Sequence, residues 1–169
     1  MKISIVEIGE PLPLEENVRP HRYGNFCRYL ASKGHEVTWW TSSFSHMPKK
    51  HLADSTQKIT INGHKIWILY GGGYASNVSL ARIQHNKEFA RKYFAMARQE
   101  EKPDIIISPI PTIENAMASL EMAQEWKIPI LTDIRDEWPD EIVNLLPWLL
   151  RPLGRLALGS SFKNMKAFC

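Results

Sequence analysis

The sequence has little cysteine and no long apolar run. Its two cysteines, Cys27 and Cys169, have no metal-binding spacing, so neither a disulfide scaffold nor a zinc site is predicted. No stretch approaches the roughly 20 apolar residues that a helix needs to cross a bilayer. The first residues have the composition of a β-strand rather than of a secretory signal. These absences argue against a secreted or membrane-spanning protein and predict a cytoplasmic location.

Several nucleotide-binding and catalytic signatures are missing as well. The run from Gly71 to Gly73 lacks both the lysine of a P-loop and the G-x-G-x-x-G spacing of a dinucleotide site, so we interpret it as a flexible loop. The histidines have no metal-ligand spacing, and no serine or cysteine triad motif is present. The basic residues between 82 and 102 lack the aromatic platform or groove-reading motif of a nucleic-acid binder. We therefore predict no metal ion and no nucleic-acid partner.

What remains is the composition of one globular domain. Hydrophobic residues make up 44% of the 169 positions and charged residues 23%. A chain of this length buries a substantial core but is too short for two ordinary domains, so residues 1–169 are predicted to form a single unit. The formal net charge of +3 suits an anionic ligand without identifying one.

Segments with strand and helix patterns alternate along the chain, as in a parallel α/β sheet. Strand-like segments are residues 2–8, 35–41, 58–61, 64–69, 103–108 and a short run after Pro129, and helical patterns cover residues 24–34, 80–101, 112–128 and a last stretch after Pro152. In the first helix, Phe26, Tyr29 and Leu30 define an apolar face. Asn62-Gly63 predicts a two-residue hairpin. We predict an α/β, Rossmann-like doubly wound sheet, mostly parallel, with helices on both faces.

One candidate site lies just before the first helix, in residues 19–25 (RPHRYGN). Arg19, His21 and Arg22 precede a helix N-terminus, where free N–H groups favour an anion. Gly24 permits close approach of a ligand, and Asn25 adds a polar side chain. The alternative is an ordinary exposed loop in which Gly24 only caps the helix. The sequence leaves both interpretations open.

A second candidate site lies in residues 130–139 (ILTDIRDEWP), where a predicted buried strand ends in ionisable residues. The carboxyl ends of parallel strands are where open α/β sheets bind ligands. Asp136 could act as a general base, and Arg135 could keep it ionised or bind a phosphate. Alternatively, Asp133, Arg135 and Asp136 form a structural ion-pair network that caps the next helix.

A third candidate is a surface rather than a catalytic site. Residues 148–156 (WLLRPLGRL) combine apolar and aromatic side chains with arginines, which suits contact with an anionic bilayer. The alternatives are a core-facing segment or an interface with a second domain.

The order of these motifs resembles a known family. Residues 19–24, 31–38 (ASKGHEVT), 41–44 (TSSF), the Asn62-Gly63 hairpin, 102–106 (KPDII) and 132–139 (TDIRDEWP) match in sequence order. Together they resemble the N-terminal domain of a family 4 retaining glycosyltransferase of the GT-B fold. The closest likeness is to the branch that builds lipopolysaccharide and other surface polysaccharides. The resemblance covers nearly the whole chain.

The resemblance implies a division of labour. In this family the N-terminal domain binds a glycan or lipid-linked acceptor, the C-terminal domain binds the nucleotide-sugar donor, and no metal or other cofactor is required. It implies that six residues bind the donor phosphate or the acceptor, namely Arg19, His21, Arg22, Gly24, Asn25 and Arg135. It also implies a catalytic role for Asp136. Many relatives have histidine where this chain has Arg135, so no histidine-based role carries over.

The departure from the family is length. The donor-binding C-terminal domain has no counterpart in this sequence, so we expect the chain to be inactive alone and to need that domain or a complementary chain. A lipid-linked acceptor would place it peripherally at the inner face of the membrane. The competing interpretation is a stand-alone Rossmann-like module that binds a phosphorylated or nucleotide ligand.

Overall fold

A computed structural model describes residues 1–14, 18–77, 79–110, 112–136 and 139–168, with the side chain of Ile142 excepted. The strands are β1 (Lys2–Val6), β2 (Glu36–Ser42), β3 (Phe44–Ser45), β4 (Lys50–His51), β5 (Gln57–Ile61), β6 (His64–Leu69), β7 (Ile105–Ile110) and β8 (Ile130–Ile134). The α-helices are α1 (Arg22–Ser32), α2 (Leu80–Ala97), α3 (Ile113–Trp126), α4 (Asp140–Leu145), α5 (Arg151–Ala157) and α6 (Gly159–Met165). Short 3₁₀ turns cover Trp148–Leu150 and Lys166–Phe168.

Six strands form one sheet in the order β5-β6-β2-β1-β7-β8. All neighbouring pairs are parallel except β5 and β6, which form an antiparallel hairpin. The chain winds outward from β1 through β2 to β6, then returns through β7 to β8 on the other side. This order confirms the predicted α/β, doubly wound, mostly parallel Rossmann-like fold, and it puts the reversal point between β1 and β7.

The two faces of the sheet bury separate cores. Tyr23 and Cys27 of α1 pack with Trp39 on one face, while Phe89 and Tyr93 of α2 pack on the other. Trp39 and its neighbour Trp40 project to opposite faces because side chains alternate along a strand. Burial raises the pKa of the Cys27 thiol to about 12, so this cysteine is an apolar core residue rather than a reactive one.

The hairpin prediction is confirmed by the backbone geometry of its turn. Asn62 and Gly63 have φ values of 49° and 79°, and β5 and β6 pair directly across them. Positive φ at both central residues is the signature of a type I′ turn, which matches the twist of the flanking strands.

Three local predictions are wrong. The strand after Pro129 is not buried, because β8 pairs only with β7 at the edge of the sheet, leaving Leu131 50% and Ile134 55% exposed. The apolar face predicted for α1 is also mostly wrong, because Phe26 and Tyr29 are exposed and only Leu30 packs against the core. The buried residues of α1 are Tyr23, Gly24 and Cys27. The last predicted helix is divided between α5 and α6, and Leu153 of α5 is exposed.

The triple glycine is fixed by contacts that the sequence does not reveal. The Gly72 amide donates to the Glu88 carboxylate at 3.0 Å, and the His85 imidazole hydrogen-bonds the Gly72 carbonyl. A Cβ atom at Gly73 would lie 2.6 Å from the ring of Phe44, so only glycine fits there. The predicted loop is present, and its glycines permit close packing against neighbouring side chains.

Among the described helices, none is long and apolar enough to cross a membrane.

Candidate functional site

The loops after β1 and β8 meet the start of α1 at the carboxyl edge of the sheet. Asp133, at the end of β8, accepts hydrogen bonds from the Arg22 guanidinium and the Tyr23 hydroxyl, each at 2.8 Å. These bonds join residues more than 100 positions apart in the sequence. Arg22 and Asp133, which belong to different predicted sites, thus form one polar rim.

Asp133 is held in its charged form. Its partial burial opposes ionisation, but the hydrogen bonds from Tyr23 and Arg22 outweigh that effect and lower the pKa of the Asp133 carboxyl. Burial, followed by the bond to Asp133, raises the pKa of Tyr23, so its hydroxyl keeps its proton and remains a donor. The pair presents a carboxylate and a fixed hydroxyl to any ligand at this edge.

The N-terminus of α1 is already occupied by a carboxylate from the same chain. One Glu10 oxygen, Oε2, accepts from the Tyr23 amide at 2.8 Å and from the Gly24 amide at 3.3 Å. A Cβ atom on Gly24 would lie 3.2 Å from Pro20 and 3.9 Å from Trp39, so glycine allows the helix to pack closely here. A phosphate at these amides would have to displace Glu10 and would face its negative charge.

Glu7 lies beneath this rim, immediately after β1, and is only 4% exposed. Burial, reinforced by the Glu10 carboxylate, raises the pKa of Glu7 to about 8, although Arg135 opposes the shift. An Arg135 nitrogen lies 3.9 Å from Glu7 Oε1, and the Glu10 amide donates to Glu7 Oε2 at 3.4 Å. Below about pH 8 Glu7 is therefore a neutral buried acid at the reversal point of the sheet.

The other predicted site residues have varied surroundings. Arg19 and His21 are exposed. Asn25 is engaged locally, since its amide nitrogen donates to the Pro20 carbonyl and its oxygen accepts from Arg28. Asp136 follows Arg135 and is exposed, and no hydrogen bond or ion pair joins it to another described residue. Residues 137 and 138, which end the predicted motif, and Cys169 lie outside the described residues.

An open groove of about 670 Å³ runs beside the rim between α1 and β8. Its walls include the half-exposed rings of Phe26 and Tyr29 and the apolar side chain of Leu131, and Asp133 lies at one end. Aromatic rings beside fixed carboxylate and hydroxyl groups can stack against the C–H face of a sugar ring while hydrogen-bonding its hydroxyls. The groove is therefore suited to a neutral, hydroxyl-rich ligand.

Three residues in or directly beneath the rim were not predicted as site residues, namely Glu7, Glu10 and Tyr23. Two carboxylates just after the first strand of a doubly wound sheet were a usable signal, because that position lies at the ligand-binding edge. The role of Glu10 as a cap for α1 was not predictable, since it depends on a tertiary contact between residues 13 positions apart.

Comparison with known proteins identifies no family. No family model and no curated protein matches the sequence. Among solved structures, two crystal structures of the C-terminal domain of a hydrogenase from Pyrococcus furiosus are similar to this chain. Their identities are 14% and 13% and their TM-scores 0.48 and 0.44, over 78% of this chain and 89% of theirs. A likeness of this degree assigns neither activity nor ligand.

Proposed function

We propose that this chain is the acceptor-binding, Rossmann-like half of a retaining glycosyltransferase. In this proposal the groove between α1 and β8 binds a glycan or lipid-linked acceptor. The nucleotide-sugar is bound by a C-terminal domain or complementary chain, no metal or other cofactor is needed, and the chain alone does not transfer sugar. The motif order described above supports the choice of family, and the groove supports an acceptor site on this chain.

The observation that carries the proposal is the Asp133 rim beside the aromatic groove. Its charged carboxylate and the Tyr23 hydroxyl are suited to sugar hydroxyls, and the exposed faces of Phe26 and Tyr29 to stacking. The same rim disfavours the competing nucleotide-binding module. In a dinucleotide-binding domain the pyrophosphate lies on the amides that begin the first helix, and here Glu10 occupies them.

Asp136 is the proposed catalytic residue. It stands beside Arg135 at the same edge and is exposed. A carboxylate in this position is accessible to an incoming acceptor hydroxyl, which is the geometric requirement for a general base. In this proposal, Arg135 and Arg22 supply positive charge on the side of the rim where the donor binds.

Sugar binding by the isolated chain tests the proposal. We expect hexose oligosaccharides to produce saturable NMR shifts at the amides of Tyr23, Phe26, Leu131 and Asp133. Asp133→Asn should weaken binding by roughly tenfold, because it removes a charged acceptor that also positions Tyr23. Asp104→Asn is the matched control, since Asp104 is exposed and accepts from the Lys2 amide at the opposite edge of the sheet.

Titration with uridine and adenosine diphosphates distinguishes an acceptor-binding domain from a stand-alone nucleotide-binding module. The proposed function predicts no saturable nucleotide shifts at the rim. Saturable shifts at Tyr23 and Gly24 with a nucleotide, together with none from any oligosaccharide, would favour the stand-alone nucleotide-binding module instead.

The apolar surface of the C-terminal segment supports a peripheral membrane contact within this function. Its apolar side chains are between 46% and 80% exposed, and they are Trp148, Leu149, Leu150, Leu153 and Leu156. Exposed apolar patches of this kind mark interaction surfaces. Arg155 lies in α5 with Leu153 and Leu156, and Lys163 lies in the following helix α6, so the segment combines apolar side chains with positive charge. We propose that it lies on an anionic bilayer, close to a lipid-linked acceptor.

Vesicle flotation measures this contact. We expect the chain to float with vesicles that contain anionic lipid, and the double variant Trp148→Ala/Leu156→Ala to bind at least about tenfold less, because two inserted apolar side chains are removed. Leu80→Ala is the control, since Leu80 is 84% exposed on a different surface. Equal flotation of all three proteins, or none on anionic vesicles, would contradict the membrane proposal.

A further inference from the structure

A second polar cluster lies at the other end of the same sheet edge, where the loops after β2 and β6 meet the start of α2. Two cations lie over one aromatic ring. The Lys49 ammonium is 4.6 Å from the ring centre of Tyr74, and the Arg82 guanidinium carbon is 6.0 Å from it. Tyr74 itself is buried, and its hydroxyl bonds to His46 at 2.7 Å.

Among the described residues, no carboxylate forms an ion pair with Lys49 or Arg82. Their polar partners are neutral: Lys49 contacts the Asn77 side chain and His46 Nδ1, and Arg82 donates to the Asn77 carbonyl at 2.8 Å. Other lysines and arginines in the described residues do have carboxylate partners, as in Lys58–Glu100, Lys92–Glu88 and Arg98–Glu125. The cluster therefore concentrates positive charge that the described side chains leave unneutralised.

His46 contacts two members of this cluster through one ring nitrogen. Its Nδ1 lies 2.7 Å from the Tyr74 hydroxyl and 3.3 Å from the Lys49 ammonium, and because an ammonium can only donate, Nδ1 is an acceptor and the neutral ring carries its proton on Nε2, on the side away from Lys49. Burial, with Lys49 and Arg82, lowers the pKa of His46, and burial with Arg82 lowers the pKa of Lys49. Repulsion between the positive charges is the smaller part of these shifts, after burial, and a bound anion would relieve that part.

The start of α2 adds to the positive potential. Its first turn carries Arg82 and no acidic residue, the reverse of the usual preference at a helix N-terminus. The Ser79 hydroxyl accepts from the Arg82 amide and fixes this turn. The helix is 18 residues long, so its dipole is fully developed. The turn between β3 and β4, through Lys49, and the start of α2, through Arg82, thus present positive charge at one place without a described acid among them.

We propose that Lys49 and Arg82, beside the start of α2, bind the phosphate group of a ligand. The lysine supplies a point charge and the arginine a planar pair of donors, which together match the oxygens of a phosphomonoester or diphosphate. The site lies at the ends of β2 and β6, away from the α1–β8 groove. It goes beyond the proposed function, because it requires no assumption about what that groove binds.

Titration of the whole chain with inorganic phosphate and pyrophosphate, at constant ionic strength with chloride as reference, tests this site. We expect saturable NMR shifts at the amides of His46, Lys49, Asn77 and Arg82. Lys49→Ala and Arg82→Ala should each weaken binding by roughly tenfold, because each removes a charge-assisted hydrogen bond. Lys50→Ala, next to Lys49, and Arg91→Ala, further along α2, change the net charge equally from exposed positions and should leave affinity within about twofold.

The milder variants Lys49→Gln and Arg82→Lys keep the test decisive if an alanine variant fails to fold. Shifts that never saturate, or equal weakening by Lys50→Ala and Lys49→Ala, would reduce the cluster to non-specific charge and overturn the proposal. Asp133→Asn should leave phosphate affinity unchanged. Loss of sugar binding and loss of phosphate binding therefore report separately on the groove and on this cluster.

Discussion

When the pH rises from about 5 to about 8, the unfolding free energy of the wild-type chain should fall by on the order of 3 kcal/mol more than that of a Glu7→Gln variant. Glu7 keeps its proton in the folded chain up to about pH 8, whereas an unfolded chain releases it near 4.5. In that window the folded state binds more protons than the unfolded state. The stabilisation is complete below the unfolded pKa and disappears as the pH rises through the folded pKa.

Urea unfolding of both proteins across this pH range measures the effect. Glutamine has the shape of the protonated acid and cannot ionise, so the variant should show no comparable loss. Subtracting the variant's unfolding free energy from that of the wild type at each pH removes the contributions of the other titrating groups, including His64 and His85. Burial lowers the pKa of both histidines, so their contributions have the opposite sign. Parallel curves for wild type and Glu7→Gln would contradict a buried neutral acid at this position.

Replacing Trp39 by alanine should lower the unfolding free energy by about 3–5 kcal/mol and also disturb the rim. Trp39 is fully buried under α1, its indole nitrogen donates to the Glu7 carbonyl at 3.0 Å, and its ring lies 3.9 Å from where a Gly24 Cβ would be. The cavity would remove support from both the β1 loop and the first turn of α1. NMR shifts at Glu7, Tyr23 and Gly24 should follow the loss of stability.

Trp40→Ala is the matched comparison, because the adjacent tryptophan projects to the other face of β2. It stacks on Trp67 at 5.6 Å and meets the edge of Tyr93 at 5.4 Å. Its loss should cost a similar amount of stability but leave the α1 rim amides in place. Trp39→Phe removes the indole donor and keeps most of the packing. It should produce the NMR shifts at the rim amides with a smaller loss of unfolding free energy. Equal rim disturbance by Trp40→Ala would show that Trp39 has no specific supporting role.

The fold was predictable from sequence because its signals are local. β-Branched runs mark β1, β6 and β7, and Asn62-Gly63 fixes the hairpin without reference to the rest of the chain. The error at β8 has a physical cause, since composition cannot reveal whether a strand lies inside a sheet or at its edge. Exposure of Leu131 is a property of the strand order, not of the residue.

The candidate site was predictable only in part. Asp133 and Arg135 were placed at the exit edge of a strand, which follows from the parallel pattern. Their partners were not, because Arg22, Tyr23 and Glu7 reach them only through tertiary folding. The structural alternative is supported in one part, since Asp133 and Arg135 form ion pairs with Arg22 and Glu7. Its other part is not, because no described side chain caps α4. Asp136 as a catalytic group stays a prediction.

Because β8 is an edge strand, ligand binding is coupled to its local stability. This strand shares backbone hydrogen bonds with β7 alone, so it can separate from the sheet while the inner strands remain paired. In such a partly open form Asp133 leaves Arg22 and Tyr23, and the groove loses one wall. A molecule that bridges α1 and β8 binds only the closed form and suppresses this opening in proportion to its affinity.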